Sequence, residues 1–90
     1  MYKVIISPQA KEDLLKLQKS EPKAFAKAEH FIKELREHPT TGTGHPEPLK
    51  GNRSGQWSRE ITKKHRMVYE VFETEVQVDV VSAYGHYGDK

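Results

Sequence analysis

Glu47, Arg66 and His86 place a carboxylate, a guanidinium and an imidazole in three separate blocks of a 90-residue chain. These are the parts of a site that cleaves a phosphodiester without a metal. A base works on one side of the phosphorus and an acid on the other, while a cation meets the charge that builds on the phosphate oxygens. Glu47 lies between Pro46 and Pro48. A residue before proline is pushed out of the helical region, and flanking residues without an N–H confine such a piece to a sheet edge or rim, its carboxylate projecting. The competing reading is a rigid surface turn with an ordinary exposed glutamate. Arg66 opens a strand-like run after Lys63-Lys64-His65, and its planar fork suits phosphate oxygens. A lone arginine serves as readily in a surface ion pair, so its weight comes from Lys50 and Arg59 in the same basic stretch. His86 follows Tyr84-Gly85 and can pass a proton at neutral pH, unless the tail frays and the histidine does nothing. His65 reads as a turn residue rather than a second base, because neighbours on a strand face opposite ways.

Other chemistries find less support. His30 and His38 are eight apart on a helix, not the i, i+4 pairing of a helical metal site, so no metal is expected. Ser7, Ser54 and Ser58 lack a nucleophile-elbow context, and Gly42-Thr43-Gly44 lacks the Lys-Ser/Thr ending of a phosphate loop. Cysteine is absent, which removes disulfides and thiolate metal sites. No cofactor is expected.

The net charge of +2 permits a nucleic-acid partner without demanding one. Its distribution says more. Residues 50–66 carry Lys50, Arg53, Arg59, Lys63, Lys64 and Arg66 against Glu60 alone, whereas Glu70, Glu73, Glu75 and Asp79 follow with no base among them. The basic stretch is a candidate phosphate-facing surface, or else a solvated charged face, and the acidic run is expected to turn elsewhere. No segment reaches the ~18 apolar residues of a membrane span, and a cytoplasmic location is the default.

The elements that must carry these residues follow from period and punctuation. Tyr2–Ile6 reads as a strand. Ser7-Pro8 starts a helix, with Glu12 and Asp13 early where the dipole favours them and Ala10, Leu14 and Leu17 on one stripe, ending near Lys19. Ser20-Glu21-Pro22 starts a second helix whose apolar face, Ala24, Phe25, Ala28, Phe31, Ile32 and Leu35, runs to about Glu37 before Pro39 stops it. Residues 39–55 read as a loop with one short extended piece around Pro46–Lys50. Gln56–Thr62, Arg66–Phe72 and Val76–Tyr84 read as strands, and Trp57 and Tyr69 as core anchors. The expected fold is a single two-layer α+β domain over residues 1–90: an N-terminal strand, an antiparallel helical hairpin, then an antiparallel meander.

Gly44-His45-Pro46-Glu47-Pro48-Leu49-Lys50, Ser54-Gly55-Gln56-Trp57-Ser58-Arg59, Ile61-Thr62, His65-Arg66-Met67-Val68-Tyr69 and His86-Tyr87 together resemble the YoeB/Txe branch of the RelE-type bacterial toxins. The resemblance spans nearly the whole chain and implies a RelE-like fold. It also implies a ribosome-dependent endoribonuclease that cuts mRNA in the ribosomal A site, without metal, by attack of the RNA's own 2′-hydroxyl. Carried over by position, Glu47 is the general base, Arg66 steadies the phosphate charge and His86 protonates the leaving 5′-oxygen. Lys50, Arg59 and Tyr87 hold the substrate. The implied partners are mRNA, the ribosome and an acidic, partly disordered cognate antitoxin, with a possible homodimer and no membrane. The chain departs from the family pattern at Glu60, where an arginine is usual, and it continues through Gly88, Asp89 and Lys90 past the tyrosine at which relatives tend to stop. Glu60 keeps open an alternative, a catalytically weakened module that binds ribosome or antitoxin and blocks translation without cleavage. A general RNA-binding protein of the same fold is a third reading.

Overall fold

Ser7 both starts the first helix and fastens it to the sheet. Its Oγ accepts the Ala10 N–H at 3.0 Å and donates to the Val81 carbonyl at 2.9 Å, and Pro8 takes the first helical position, where a missing N–H is harmless. In the computed structural model, which describes residues 1–49 and 55–85, β1 (Lys3–Ile6) leads into α1 (Pro8–Ser20) and α2 (Pro22–Leu35). Ser20 closes α1 rather than opening α2, its hydroxyl donating to the Lys16 carbonyl at 2.8 Å. Glu21 occupies the α2 cap position without a side-chain cap bond, because its carboxylate is engaged by His65.

Four further strands follow: β2 (Glu47–Pro48), β3 (Gln56–Glu60), β4 (Arg66–Phe72) and β5 (Gln77–Ser82). The sheet runs β1-β5-β4-β3-β2. The β3–β4–β5 meander is antiparallel as expected, and β1 adds to it in parallel, Lys3 beside Gln77 through Ile6 beside Val80. Val76 begins β5 in the sequence reading but belongs to the preceding turn, with φ at +53°.

The two helices cover one face of the sheet. Leu17, Phe31 and Leu35 meet Met67, Tyr69, Val78 and Val80 there, all fully buried. Truncating Phe31 to alanine would cost about 3–5 kcal/mol in transfer and cavity terms. Asp13 does not serve the helix dipole with Glu12. It faces inward at 3% exposure, and its carboxylate accepts the Ala83 N–H and the Gln9 amide, both at 2.9 Å, pinning α1 to the chain just beyond β5.

Strand alternation then divides the residues of interest. Trp57, Arg59, Met67 and Tyr69 point toward the helices. Gln56, Ser58, Glu60, Arg66, Val68 and Glu70 occupy the opposite face. Among the described residues no helix is long and apolar enough to cross a membrane.

Candidate active site

Directly paired residues on adjacent strands share a sheet face, so the register decides which side chains can cooperate. Glu47 pairs with Ser58, Ser58 with Val68, and Glu60 with Arg66. Glu47 and Arg66 therefore stand on the same face, the one away from the helices. They lie two strands apart and two residues out of step, which puts their Cα atoms roughly 12 Å apart from strand spacing and rise. At that separation the two side chains are long enough to reach a common point between them. Glu47 is exposed on its two-residue edge strand. The Arg66 guanidinium, 17% exposed, lies over β3, with Nη1 at 3.5 Å from the Ser58 hydroxyl and Nη2 at 3.9 Å from Glu60 Oε1.

The acidic run turns elsewhere only in part: Glu73 and Glu75 lie in the turn between β4 and β5, with Glu73 accepting from the Tyr2 hydroxyl at 2.6 Å. Glu70 pairs with Asp79, and both lie on the face that holds Glu47 and Arg66. The pleat gives Glu70 no other choice, since it stands four residues along β4 from Arg66. Glu60 puts a carboxylate beside the guanidinium itself, while Glu70 and Asp79 lie at the other end of this face, beyond the Ser58–Val68 pair.

Arg59 is not a substrate contact. Position 59 points to the helix face, and the side chain is fully buried. All five of its N–H donors are taken. Nε donates to the Tyr69 hydroxyl at 3.1 Å, and Nη1 to Glu34 Oε1 and, at 3.2 Å, to the Thr43 carbonyl. Nη2 donates to the carbonyls of His38 (2.6 Å) and Thr41 (2.8 Å). The Tyr69 hydroxyl hands its own proton to the Pro39 carbonyl at 2.7 Å. Burial pushes the Tyr69 hydroxyl above its ordinary pKa, with the guanidinium pulling the other way, so it stays protonated and able to donate. Four carbonyls of the loop from residue 38 to 43 thereby converge on one buried cluster. The Phe31 and Tyr69 rings flank the guanidinium at 5.8 and 5.7 Å.

That cluster governs the chain entering Glu47. Glu34 Oε1 also accepts the Thr43 N–H at 3.1 Å and its hydroxyl at 3.0 Å, and the Gly44 carbonyl accepts the Glu60 N–H at 2.8 Å. Gly44 (φ +82°) presses so closely on Phe31 that a Cβ would lie 2.5 Å from its Cζ. His45 follows at φ +52°. Two successive left-handed residues swing the chain up to the sheet edge, and Pro46 and Pro48 fix the rest.

On the other side, His65 is more than a turn residue. It is 4% exposed, with Nε2 2.8 Å from Glu21 Oε2 and Nδ1 accepting the Gly85 N–H at 2.9 Å. The Gly85 carbonyl in turn accepts the Arg66 N–H at 2.8 Å. Lys50, His86 and Tyr87 lie outside the described residues. Among those described, no cluster of three or more His, Asp or Glu comes together as a metal site.

Sequence reasoning missed Glu34, Glu21 and the structural side of His65. Glu34 carries no local signal, since its partners lie 9 and 25 residues away. Asp13 did carry one: an acid on the Ala10–Leu17 stripe, at helical spacing from both, calls for an inward partner.

A family model of YoeB-like toxins of bacterial type II toxin-antitoxin systems matches residues 6–87. Toxin YoeB of Escherichia coli (strain K12) is 45% identical over 69 residues, 77% of this chain and 82% of that protein. Among solved structures, a YoeB/ParE toxin from Agrobacterium tumefaciens superposes with a TM-score of 0.86 at 33% identity, covering 94% of this chain and 99% of the other. The toxin of the heterotetrameric YoeB-YefM toxin-antitoxin complex from Staphylococcus aureus superposes at 0.80 and 33% identity, covering 97% and 99%.

Proposed function

The chain belongs to the YoeB-like toxins of bacterial type II toxin-antitoxin systems, and on that footing we propose that it is an endoribonuclease that cuts mRNA in the ribosomal A site. The observation that carries this reading is the register that sets Glu47 and Arg66 on one sheet face. Glu47 takes the proton of a 2′-hydroxyl, and the freed oxygen attacks the adjacent phosphorus. The Arg66 guanidinium donates to the non-bridging oxygens as charge builds there. The bond to the 5′-oxygen breaks as His86 delivers a proton to it, leaving a 2′,3′-cyclic phosphate and a 5′-hydroxyl. Lys50 and Tyr87 hold the RNA. No step calls for a cofactor. The partners in this reading are the ribosome, mRNA and an acidic, partly disordered antitoxin that covers the basic stretch and folds as it binds. A homodimer would add stability to a domain with so small a core, and the protein acts in the cytoplasm.

Mapping of RNA 3′ ends after adding the protein to purified ribosomes translating a defined message tests the proposal. Cuts that vanish with Glu47→Ala and with His86→Ala are expected, each loss being about 10²- to 10⁴-fold. Undiminished cutting by both variants would rule out the assigned chemistry.

The Glu60–Arg66 contact favours one second reading, a weakened toxin that occupies the ribosome without cutting. A stalled, intact message with the natural chain and a cut one with Glu60→Arg would select it.

A further inference from the structure

We infer that His65 is a positioning residue: an imidazole protonated on Nε2 that holds Gly85, the residue before His86 in sequence, against Arg66. The inference rests on the proposed role of His86 as the acid.

The protonation pattern follows from the partners. The Gly85 N–H can only donate, so Nδ1, at 2.9 Å, must present its lone pair. The ring proton of the neutral form is then on Nε2, facing Glu21 Oε2 at 2.8 Å. The contact is enclosed, with His65 4% exposed and the Tyr84 ring against it, tilted by 42° with 4.3 Å between centroids. The Lys16 ammonium lies 5.1 Å from the centre of the Tyr84 ring.

Three successive anchors therefore act on the chain as it leaves β5. Asp13 accepts the Ala83 N–H, His65 Nδ1 accepts the Gly85 N–H, and the Gly85 carbonyl accepts the Arg66 N–H. The last of these ties the Gly85 carbonyl to the backbone of Arg66, the residue proposed to meet the phosphate charge. Gly85 sits at φ +79°, and among the described residues nothing lies within 4 Å of where a Cβ would be, so the hydrogen bonds to His65 and Arg66 are what fix its direction there. Remote hold of this kind matters because misplacing a reacting group by about 1 Å costs as much as 10²-fold in rate.

The experiment compares the natural chain with His65→Asn, His65→Gln and Glu21→Gln. The asparagine oxygen is three bonds from Cα, like Nδ1, and can still accept from Gly85. The glutamine oxygen is four bonds out, like Nε2, and leaves Gly85 without its acceptor. His65→Gln is expected to lose on the order of 10²-fold in kcat with KM for programmed ribosomes unchanged, and His65→Asn to recover most of that loss. Glu21→Gln keeps an acceptor for Nε2–H and should cut nearly as the natural chain does. Nitrogen NMR of the natural chain should show an Nε2–H imidazole, and the Gly85 amide should exchange slowly with solvent.

An Nδ1–H ring or a freely exchanging Gly85 amide would overturn the contact whether or not the protein cuts RNA. Equal kcat in all folded variants, or a loss confined to KM, would overturn the positioning role. A natural chain that shows the expected ring and amide but cuts nothing would end the nuclease reading and the catalytic consequence with it, leaving the contact itself established.

Discussion

The Arg59 Nε–H donates to the Tyr69 hydroxyl at 3.1 Å, and that hydroxyl donates onward to the Pro39 carbonyl at 2.7 Å. Neither group reaches solvent. A fully buried cation is tolerated because Glu34, three carbonyls and this hydroxyl satisfy every donor it has. Removing the hydroxyl with Tyr69→Phe leaves two buried groups short of a partner, a destabilisation of about 1–3 kcal/mol. Arg59→Lys breaks the fork and should cost more, about 3–5 kcal/mol, the range for a broken buried ion pair. Urea denaturation of both variants checks the order. Arg59→Lys costing less than Tyr69→Phe would contradict it.

Acid should loosen the same cluster. Burial raises the Glu34 carboxyl, but the Thr43 N–H, the Arg59 guanidinium and the Thr43 hydroxyl outweigh it and leave the group below its ordinary 4.5. Glu21 is likewise lowered, chiefly by the bond from His65, with Lys64 adding to it. A carboxyl that is more acidic folded than unfolded lends stability that is complete above the unfolded value and fades as pH falls through the folded one. Stability should thus hold down to about pH 4.5 and decline below it. Glu34→Gln is less stable at neutral pH and loses less on acidification, which unfolding curves at several pH values measure.

Gly44→Ala asks for a Cβ 2.5 Å from the Phe31 ring at φ +82°. The left-handed conformation alone costs roughly 1–2 kcal/mol for a residue with a Cβ, and the clash pushes the loop away from α2. Lower stability and slower RNA cleavage are expected together, read by thermal melting and by mapping of 3′ ends. Unchanged cleavage would mean that Glu47 is placed without this approach.

Val76 is the reverse case. A β-branched residue at φ +53°, 43% exposed, holds a strained turn. Val76→Gly or Val76→Asn should relieve about 1 kcal/mol of strain and raise the melting temperature with no change in cleavage.

Glu60→Arg exchanges an anion for a cation beside the Arg66 guanidinium. One new phosphate contact steepens the dependence of log binding constant on log salt by about 0.7 for single-stranded RNA. Binding of the chain to a labelled oligonucleotide across a salt series would show it.

The fold was legible in the sequence because its determinants are local: the Ser7-Pro8 start, the Ala24-to-Leu35 stripe and the valine alternation of β5 each lie within a few residues. The places of Glu47 on an edge strand and Arg66 at the start of β4 were legible for similar reasons, one fixed by its prolines and the other opening a strand; their chemical roles belong to the proposal. The clamp around Arg59 was not, since its partners at Glu34, Pro39 and Tyr69 are far apart along the chain and nothing local marks an arginine as buried. Its place in the basic stretch suggested RNA, whereas strand parity turns its side chain to the helices. His65 was misjudged for a related reason: its neighbour was the focus, while its own partners, Glu21 and Gly85, lie 44 and 20 residues away.

The hold on the loop before Glu47 acts almost wholly through peptide carbonyls, at His38, Pro39, Thr41 and Thr43. Every amino acid carries that group, so the clamp is blind to side-chain identity at the exposed positions 38 and 41. Those two sites are open to recoding: a reporter label, an affinity handle or simple drift there leaves the path of the chain to Glu47 as it is, while the two glycines of the loop admit no such freedom.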